Sequence, residues 1–233
     1  MHCQKEQRTL LAIKNKAIMA NKKINSNGHE FVDLGLPSGT LWATMNVGAS
    51  SPLDYGLYFQ WGDTQGYTKE QVGNGEGQKK FASDWSDYKW YLSGSEKENN
   101  LKFIKYIKEG ATLNLKDDAA NVNMGGSWHM PSPEQIRELI DNTVSVLTKL
   151  DDVIGMRFIS KNDPSKFIFI PAAGGAMDGS VLAIGYYGFA WSSMLSIILV
   201  GYGQSIYFNS ESIYLSYNFF SRCNGLPVRG VIG

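Results

Sequence analysis

The spacing of hydrophobic positions changes several times along the chain, and each change marks an element. Over residues 1–27, Leu10, Leu11, Ile13, Ala17, Ile18 and Met19 are interleaved with Lys5, Arg8, Lys14, Lys16, Lys22 and Lys23. No Gly or Pro intervenes before Asn25-Ser26-Asn27-Gly28. That pattern predicts an N-terminal helical extension of about four turns. It either docks on the rest of the chain or serves as an assembly helix for a homo-oligomer, and its stripe covers too few heptads for a secure coiled coil. From His29 the period shortens. Phe31, Leu34, Leu36, Leu41, Trp42, Met45 and Val47 alternate with small and polar residues around Pro37-Ser38-Gly39, predicting two short strands and a turn. Residues 55–62 read as a further strand with aromatic anchors. Residues 66–115 are rich in Gly, Ser and Lys, with Trp85, Tyr88, Trp90 and Tyr91 interspersed, and predict long loops pinned by their aromatics. Ser132-Pro133-Glu134-Gln135 combines an N-cap serine, a proline at the first helical position and a glutamine at the third. Ile136, Leu139 and Ile140 then form the buried stripe of a helix ending near Asn142. A second short helix starts at Asp117, which caps it, with Ala119 and Ala120 inside. Strands follow around Val144, Val146 and Thr148, around Met156 and Phe158, over 167–171, and near 186–191, 206–208 and 226–228. Two short helices among many short strands and long loops predict a single α+β domain over residues 28–233.

Composition excludes several function classes. Of 233 residues, 43% are hydrophobic, 12% aromatic and 19% charged, with 25 glycines, which suits a compact, loop-rich fold rather than a disordered chain. The 22 basic and 22 acidic residues cancel, so nothing draws the chain as a whole to nucleic acid. No apolar run is long enough to cross a bilayer, and no membrane insertion is expected. The apolar run at residues 10–13 is soon broken by Lys14 and Lys16, so no signal peptide is recognisable.

Cys3 and Cys223 lie at opposite ends, form no disulfide framework or metal spacing, and read as free thiols. His2, His29 and His129 have no recognisable partner spacing. Asp63, Asp84 and Asp87 lack the twelve-residue calcium pattern. Asp117 and Asp118 could together hold a calcium ion, but helix capping by Asp117 is the preferred reading, and Gly125-Gly126 suits a tight turn ahead of Trp128 better than a phosphate loop. No metal, cofactor or catalytic group is expected.

A set of ordered motifs resembles one family. Residues 31–44 read Phe-Val-Asp-Leu-Gly-Leu-Pro-Ser-Gly-Thr-Leu-Trp-Ala-Thr, followed by Asn46-Val47-Gly48-Ala49. Then come Asp54-Tyr55-Gly56 with Trp61-Gly62, Asp117-Asp118-Ala119-Ala120, and Gly125-Gly126-Ser127-Trp128-His129-Met130-Pro131. The series ends with Ile170-Pro171-Ala172-Ala173-Gly174, Trp191-Ser192-Ser193 and Asn224-Gly225-Leu226-Pro227-Val228-Arg229. Together they resemble the Fibrobacter succinogenes major paralogous domain, common in gut Bacteroidetes and their phages. That resemblance implies a C-type-lectin fold of the formylglycine-generating-enzyme type. It also implies similarity to the variable proteins of diversity-generating retroelements, in which codons near the C-terminus are randomised at template adenines. The chain departs from the family at Arg229-Gly230-Val231, where Arg-Pro-Val is common, which leaves the end of the last strand open. The oxidase chemistry of the fold relative does not carry over, because Cys223 has no second cysteine near it.

Residue usage near the C-terminus bears on this implication. Randomising the first two bases of asparagine codons excludes Met, Trp, Lys, Gln and Glu. Over residues 195–223 the only members of that set are Gln204 and Glu211, and no lysine follows Lys166. Ile197, Ile198, Leu199 and Val200 read either as a diversified surface or as a plain core strand, since short apolar runs are ambiguous. The mixture of Tyr, Phe and Ser over residues 214–223 resembles a paratope. The candidate ligand-binding surface is therefore Ser196, Ile197, Ile198, Leu199, Val200, Tyr202, Tyr214, Ser216, Tyr217, Phe219, Phe220, Ser221 and Cys223. The resemblance implies a receptor-binding protein or adhesin on a virion or cell surface, reached by an unusual export route or by lysis. The apolar run favours a protein ligand over a glycan. The alternatives are a fixed structural or assembly subunit and, third, an enzyme of unknown chemistry.

Overall fold

The computed structural model describes residues 23–24, 27–73 and 80–233. The helix expected over residues 1–27 falls outside them, except that Lys23–Ile24 forms a short strand, β1. The alternation that follows builds a hairpin of β2 (Glu30–Asp33) and β3 (Leu41–Asn46), turned through Gly39, whose amide donates to the Leu36 carbonyl at 2.9 Å. In this hairpin Val32 lies opposite Trp42, and both are buried. β1 adds outside β2, pairing Lys23 with Phe31 and Ile24 with Glu30. The sheet therefore reaches past the boundary expected at residue 28. The last strand, β14 (Arg229–Ile232), pairs with the other side of β3, so both ends of the described chain meet in one antiparallel sheet.

The described residues hold three short helices. The first, α1 (Lys69–Gly73), was not expected and lies in the region read as loops. The second, α2 (Ala119–Met124), follows a single 3-10 turn at Leu115–Asp117. Its cap is Asp118 rather than Asp117: one carboxylate oxygen of Asp118 accepts from the Asn121 amide at 2.9 Å, and the other accepts from Met130 at 2.8 Å. Asp117 instead accepts from Lys105 and, at 2.7 Å, from the Tyr106 hydroxyl. The third, α3 (Pro133–Asn142), carries the expected capping box. The Gln135 amide donates to Ser132 Oγ at 3.2 Å, and the Ser132 amide donates to Gln135 Oε1 at 2.9 Å.

The remaining strands form small antiparallel sheets. One contains β6 (Thr143–Leu150), β7 (Val153–Ser160) and β8 (Phe167–Pro171). Its β6–β7 hairpin turns on Asp151 and Asp152, both at positive φ, as a two-residue loop matching strand twist requires. Two further ladders pair β4 (Tyr91–Ser93) with β5 (Lys102–Phe103), and β9 (Gly175–Met177) with β10 (Ser180–Leu182). The sheet that carries the C-terminal region contains β11 (Gly188–Leu195), β12 (Gly203–Phe208) and β13 (Ile213–Ser216).

Two expected strands are absent. Residues 55–62 make isolated bridges instead, Tyr58 with Tyr67 and Phe59 with Leu226. Gly56 and Gly62 at positive φ break the extended run, and the Trp61 amide donates to the Arg222 carbonyl. Residues 226–228 likewise form no ladder, and the last strand begins at Arg229.

The described residues thus form a sheet-rich α+β fold with few short helices. Its apolar interior has two main parts. A mainly aliphatic part lies beneath α3 and the β7–β8 and β12–β13 strands, around Ile136, Leu139, Ile170 and Ile206, with Phe158 and Phe208. An aromatic part underlies the long loops, with Trp61, Trp85, Tyr88, Trp90, Trp128 and Trp191. The indoles of Trp61 and Trp191 keep polar partners inside it, donating to the Ser192 carbonyl at 2.9 Å and the Phe59 carbonyl at 2.7 Å. In the region 66–115 expected as loops, aromatics pin the chain from residue 80 onward, but α1 and the β4–β5 ladder also form there.

Candidate ligand-binding surface

β11 and β12 are joined by a loop, residues 196–202, that turns the ambiguous apolar run outward. Ile197 and Ile198 are 59% and 60% exposed, and Leu199 and Val200 are half-buried. The run is therefore a loop and not a core strand, with its first half in solvent and Val200 against the core. The loop is fixed by its own backbone. The Ser196 amide donates to the Tyr202 carbonyl at 2.9 Å, and the Tyr202 amide to the Leu199 carbonyl at 3.0 Å. Ser196 Oγ accepts from the amides of Ile198 and Leu199, at 3.1 and 3.2 Å. From outside the loop, the Gly110 amide donates to the Ser196 carbonyl and the Arg222 amide to the Gly201 carbonyl, at 2.9 and 2.8 Å. Ile197 and Ile198 are thus held in water by a hydrogen-bonded loop, while Val200 packs against the aromatic core.

Arg222 locks this arrangement from behind. Its guanidinium is fully buried and donates to the carbonyls of Tyr106 (2.9 Å), Lys105 (2.9 Å) and Val200 (3.3 Å) and to the Tyr88 hydroxyl (2.7 Å). It lies 4.0 Å from the Phe103 ring centroid, with Tyr88, Trp61 and Trp90 also around it. Burial lowers its basicity, and contact with the Tyr88 hydroxyl acts in the opposite sense. Carbonyl oxygens and ring faces replace a carboxylate partner here, a geometry that the planar fork of arginine satisfies and an ammonium does not.

A second exposed region forms on the same sheet. Register places Phe189, Tyr207 and Tyr214 side by side across β11, β12 and β13. Their rings touch in turn, with Phe189 to Tyr207 at 5.4 Å and Tyr207 to Tyr214 at 4.7 Å. Phe219 and Phe220 fold back onto them, at 5.2 and 4.7 Å from Phe189, and Tyr187 stacks on Tyr207. The outer members stay in solvent: Tyr214 is 44% and Phe219 51% exposed. Tyr207 lies four residues along β12 from Gly203, about 13 Å at strand rise. The apolar loop and the aromatic cluster therefore centre on different stretches of the sheet and adjoin through Phe220, whose carbonyl accepts from the Gly203 amide at 3.3 Å.

Several expected surface residues are interior. Ser196 is buried because its hydroxyl caps the loop. Ser216 is buried on β13 opposite Ser205. Ser221 is buried and donates to Glu96. Cys223 is fully buried in the aromatic core. Burial pushes its thiol far above the usual range, and the carboxylates of Glu96 and Asp87 add to that, so the ligand contact expected at Cys223 is instead a buried core position. Tyr217 and Phe220 are half-buried, and Tyr217 accepts a 2.7 Å hydrogen bond from Arg137. Tyr202 is half-buried and donates to Glu96 at 3.2 Å.

Sequence reasoning missed Glu96, Leu101 and Glu109. They border a groove of about 320 Å³ beside Ile198, Leu199 and Val200. It also missed Tyr187, Phe189 and Tyr207, the inner and flanking rings of the aromatic cluster. Glu96 is more than a hundred positions from Tyr202 and Ser221, and no local pattern announces such a contact.

Charge on the C-terminal part is sparse. After Lys166 the only charged side chains are Asp178, Glu211, Arg222 and Arg229, and both arginines are fully buried. Among the described residues, no cluster of three or more His, Cys, Asp or Glu is placed to hold a metal, and no helix is long and apolar enough to cross a membrane. Comparison with family models, with curated proteins and with solved structures finds no match.

Proposed function

We propose that this protein recognises a macromolecular ligand, most simply a protein on a cell surface. In this reading a fixed scaffold of the C-type-lectin type, which the motifs resemble, carries a C-terminal surface diversified by a retroelement. The chain then works on a virion or cell surface, as a receptor-binding protein or adhesin and without catalysis. The observation that carries the reading is the exposed apolar loop 196–202, held rigid by Ser196 and Arg222. Monomeric proteins seldom expose clustered apolar side chains without an interaction to serve. Rigid presentation lowers the entropy lost on binding. The aromatic cluster around Tyr214 and Phe219 supplies the amphipathic rings that paratopes use. Residue usage agrees in one particular. Gln204, one of the two residues outside the adenine-randomised set, is buried in β12 and donates to the Leu195 carbonyl at 2.8 Å, as a scaffold position would.

The test is to sequence the gene with its flanks. The reading predicts a near-copy of the codons for residues 191–229, differing only at adenines and lying beside a reverse transcriptase gene. If the flanks hold no such copy, diversification is withdrawn. A fixed assembly subunit would need the same loop covered by another copy. Sedimentation of the full chain and of Ile198→Asp is therefore expected to give one and the same mass.

A further inference from the structure

We propose that the groove beside loop 196–202 takes a basic, aliphatic polypeptide segment, one that sets a lysine or arginine next to apolar side chains. This rests on the reading of the loop as a recognition surface and names its ligand class. The groove joins two unlike chemistries. Leu101, Ile198, Leu199 and Val200 give it an apolar lining, and Glu96 and Glu109 add two carboxylates. Among the described residues neither carboxylate is in an ion pair. Glu96 accepts only from the neutral hydroxyls of Tyr202 and Ser221, so its charge is oriented but not cancelled. Lys97, Lys102 and Lys108 neighbour these residues in the chain and do not line the groove. Arg222 lies behind the loop with its donors committed to carbonyls and to Tyr88. An acidic peptide would meet repulsion here, and an uncharged apolar one would leave both negative charges uncompensated in a partly dried groove. A lysine or arginine offers a cationic head to the glutamates and an apolar stem to Ile198 and Leu199. The volume of about 320 Å³ is at the small end for ligand pockets, enough for a few side chains and not for a large ligand.

The experiment presents the full-length protein with immobilised synthetic peptides in three sets of equal aliphatic content, carrying Lys and Arg, Asp and Glu, or no charge, beside an array of glycans. The variants are Glu109→Gln, Glu96→Gln with Glu109→Gln, Ile198→Asp and Phe219→Ser, each checked for an unchanged unfolding midpoint. Glu109→Gln stands alone because Glu96 also holds Tyr202 and Ser221. The expected result is retention of the basic set, weakened about threefold by Glu109→Gln and about tenfold by the double variant, as partly exposed charge pairs allow, and abolished by Ile198→Asp. Peptides retained without a preference for the basic set, or glycans retained instead, with either signal lost in Ile198→Asp, would overturn the basic-segment proposal and leave the recognition reading standing. Retention indifferent to both Ile198→Asp and Phe219→Ser, or no retention at all, would contradict both.

Discussion

At the scale of single residues, the strongest constraints are two arginines that no carboxylate answers among the described residues. Arg229 is fully buried, and its guanidinium donates to Asn46 Oδ1, the Ala43 carbonyl and the Phe169 carbonyl at 2.9, 3.0 and 2.9 Å. Burial lowers its pKa to about 9. It ties β14 to β3 and to β8, so Arg229→Lys, which keeps the charge and loses the fork, should cost about 3 kcal/mol or more in urea unfolding. A loss under 1 kcal/mol would mean that the three hydrogen bonds matter little.

Cys223 gives a second residue-scale expectation. With Cys3 replaced by Ser, the native protein should resist iodoacetamide and react fully only in denaturant, because the thiol is buried and neutral. Rapid alkylation of the native protein would place Cys223 at the surface after all. This residue shows where sequence reasoning stopped. Its position within a Tyr-, Phe- and Ser-rich stretch suggested a ligand contact, yet the chain turns inward after Phe220. Ser196, Ser216 and Ser221 were misplaced for a related reason. A hydroxyl that caps a loop and one that meets a ligand look alike until the backbone around them is known.

At the scale of elements, local chemistry was legible and long-range pairing was not. The capping box at Ser132 and the stripe of Ile136 and Leu139 placed the start of α3 and its end near Asn142, with Ile140 half-buried at the edge of the stripe. The neighbouring aspartates before α2 were harder, because either can cap and only geometry chooses Asp118. Asp118→Ala removes the acceptor for two amides, Asn121 and Met130, and should lower stability by about 2 kcal/mol or more. Asp117→Ala should leave the α2 cap intact. Residues 55–62 have the composition of a strand, yet the amides of Phe59 and Trp61 donate to Leu226 and Arg222, partners more than 160 positions away in sequence that no local pattern encodes. The 196–202 loop tests the same distinction energetically. Ile197→Ser and Ile198→Ser should each change stability by less than about 0.5 kcal/mol, since both side chains are mostly in water. Ile206→Ala, fully inside on β12, should cost about 2–5 kcal/mol. Equal costs at 198 and 206 would contradict the outward loop.

At the scale of the whole molecule, the design separates a stiff interior from a surface with little structural duty. The four-stranded sheet closes the chain on itself through β14, the buried tryptophans fix the long loops, and Arg222 links those loops to the 196–202 turn. The α+β class was readable from the succession of short elements, whereas the division of the C-terminal surface into an apolar loop and an aromatic cluster depended on strand register.

The most direct test of the central claim, that scaffold and recognition surface are separable, is to sequence this gene from many copies in its source population and map every differing codon onto the structure. The account predicts differences concentrated at exposed or half-buried positions, Ile197, Ile198, Leu199, Val200, Tyr202, Tyr214, Phe219 and Phe220. It predicts none at the buried positions Gln204, Ile206, Phe208, Arg222 and Cys223. Differences spread evenly over buried and exposed positions, or an invariant loop 196–202, would contradict it.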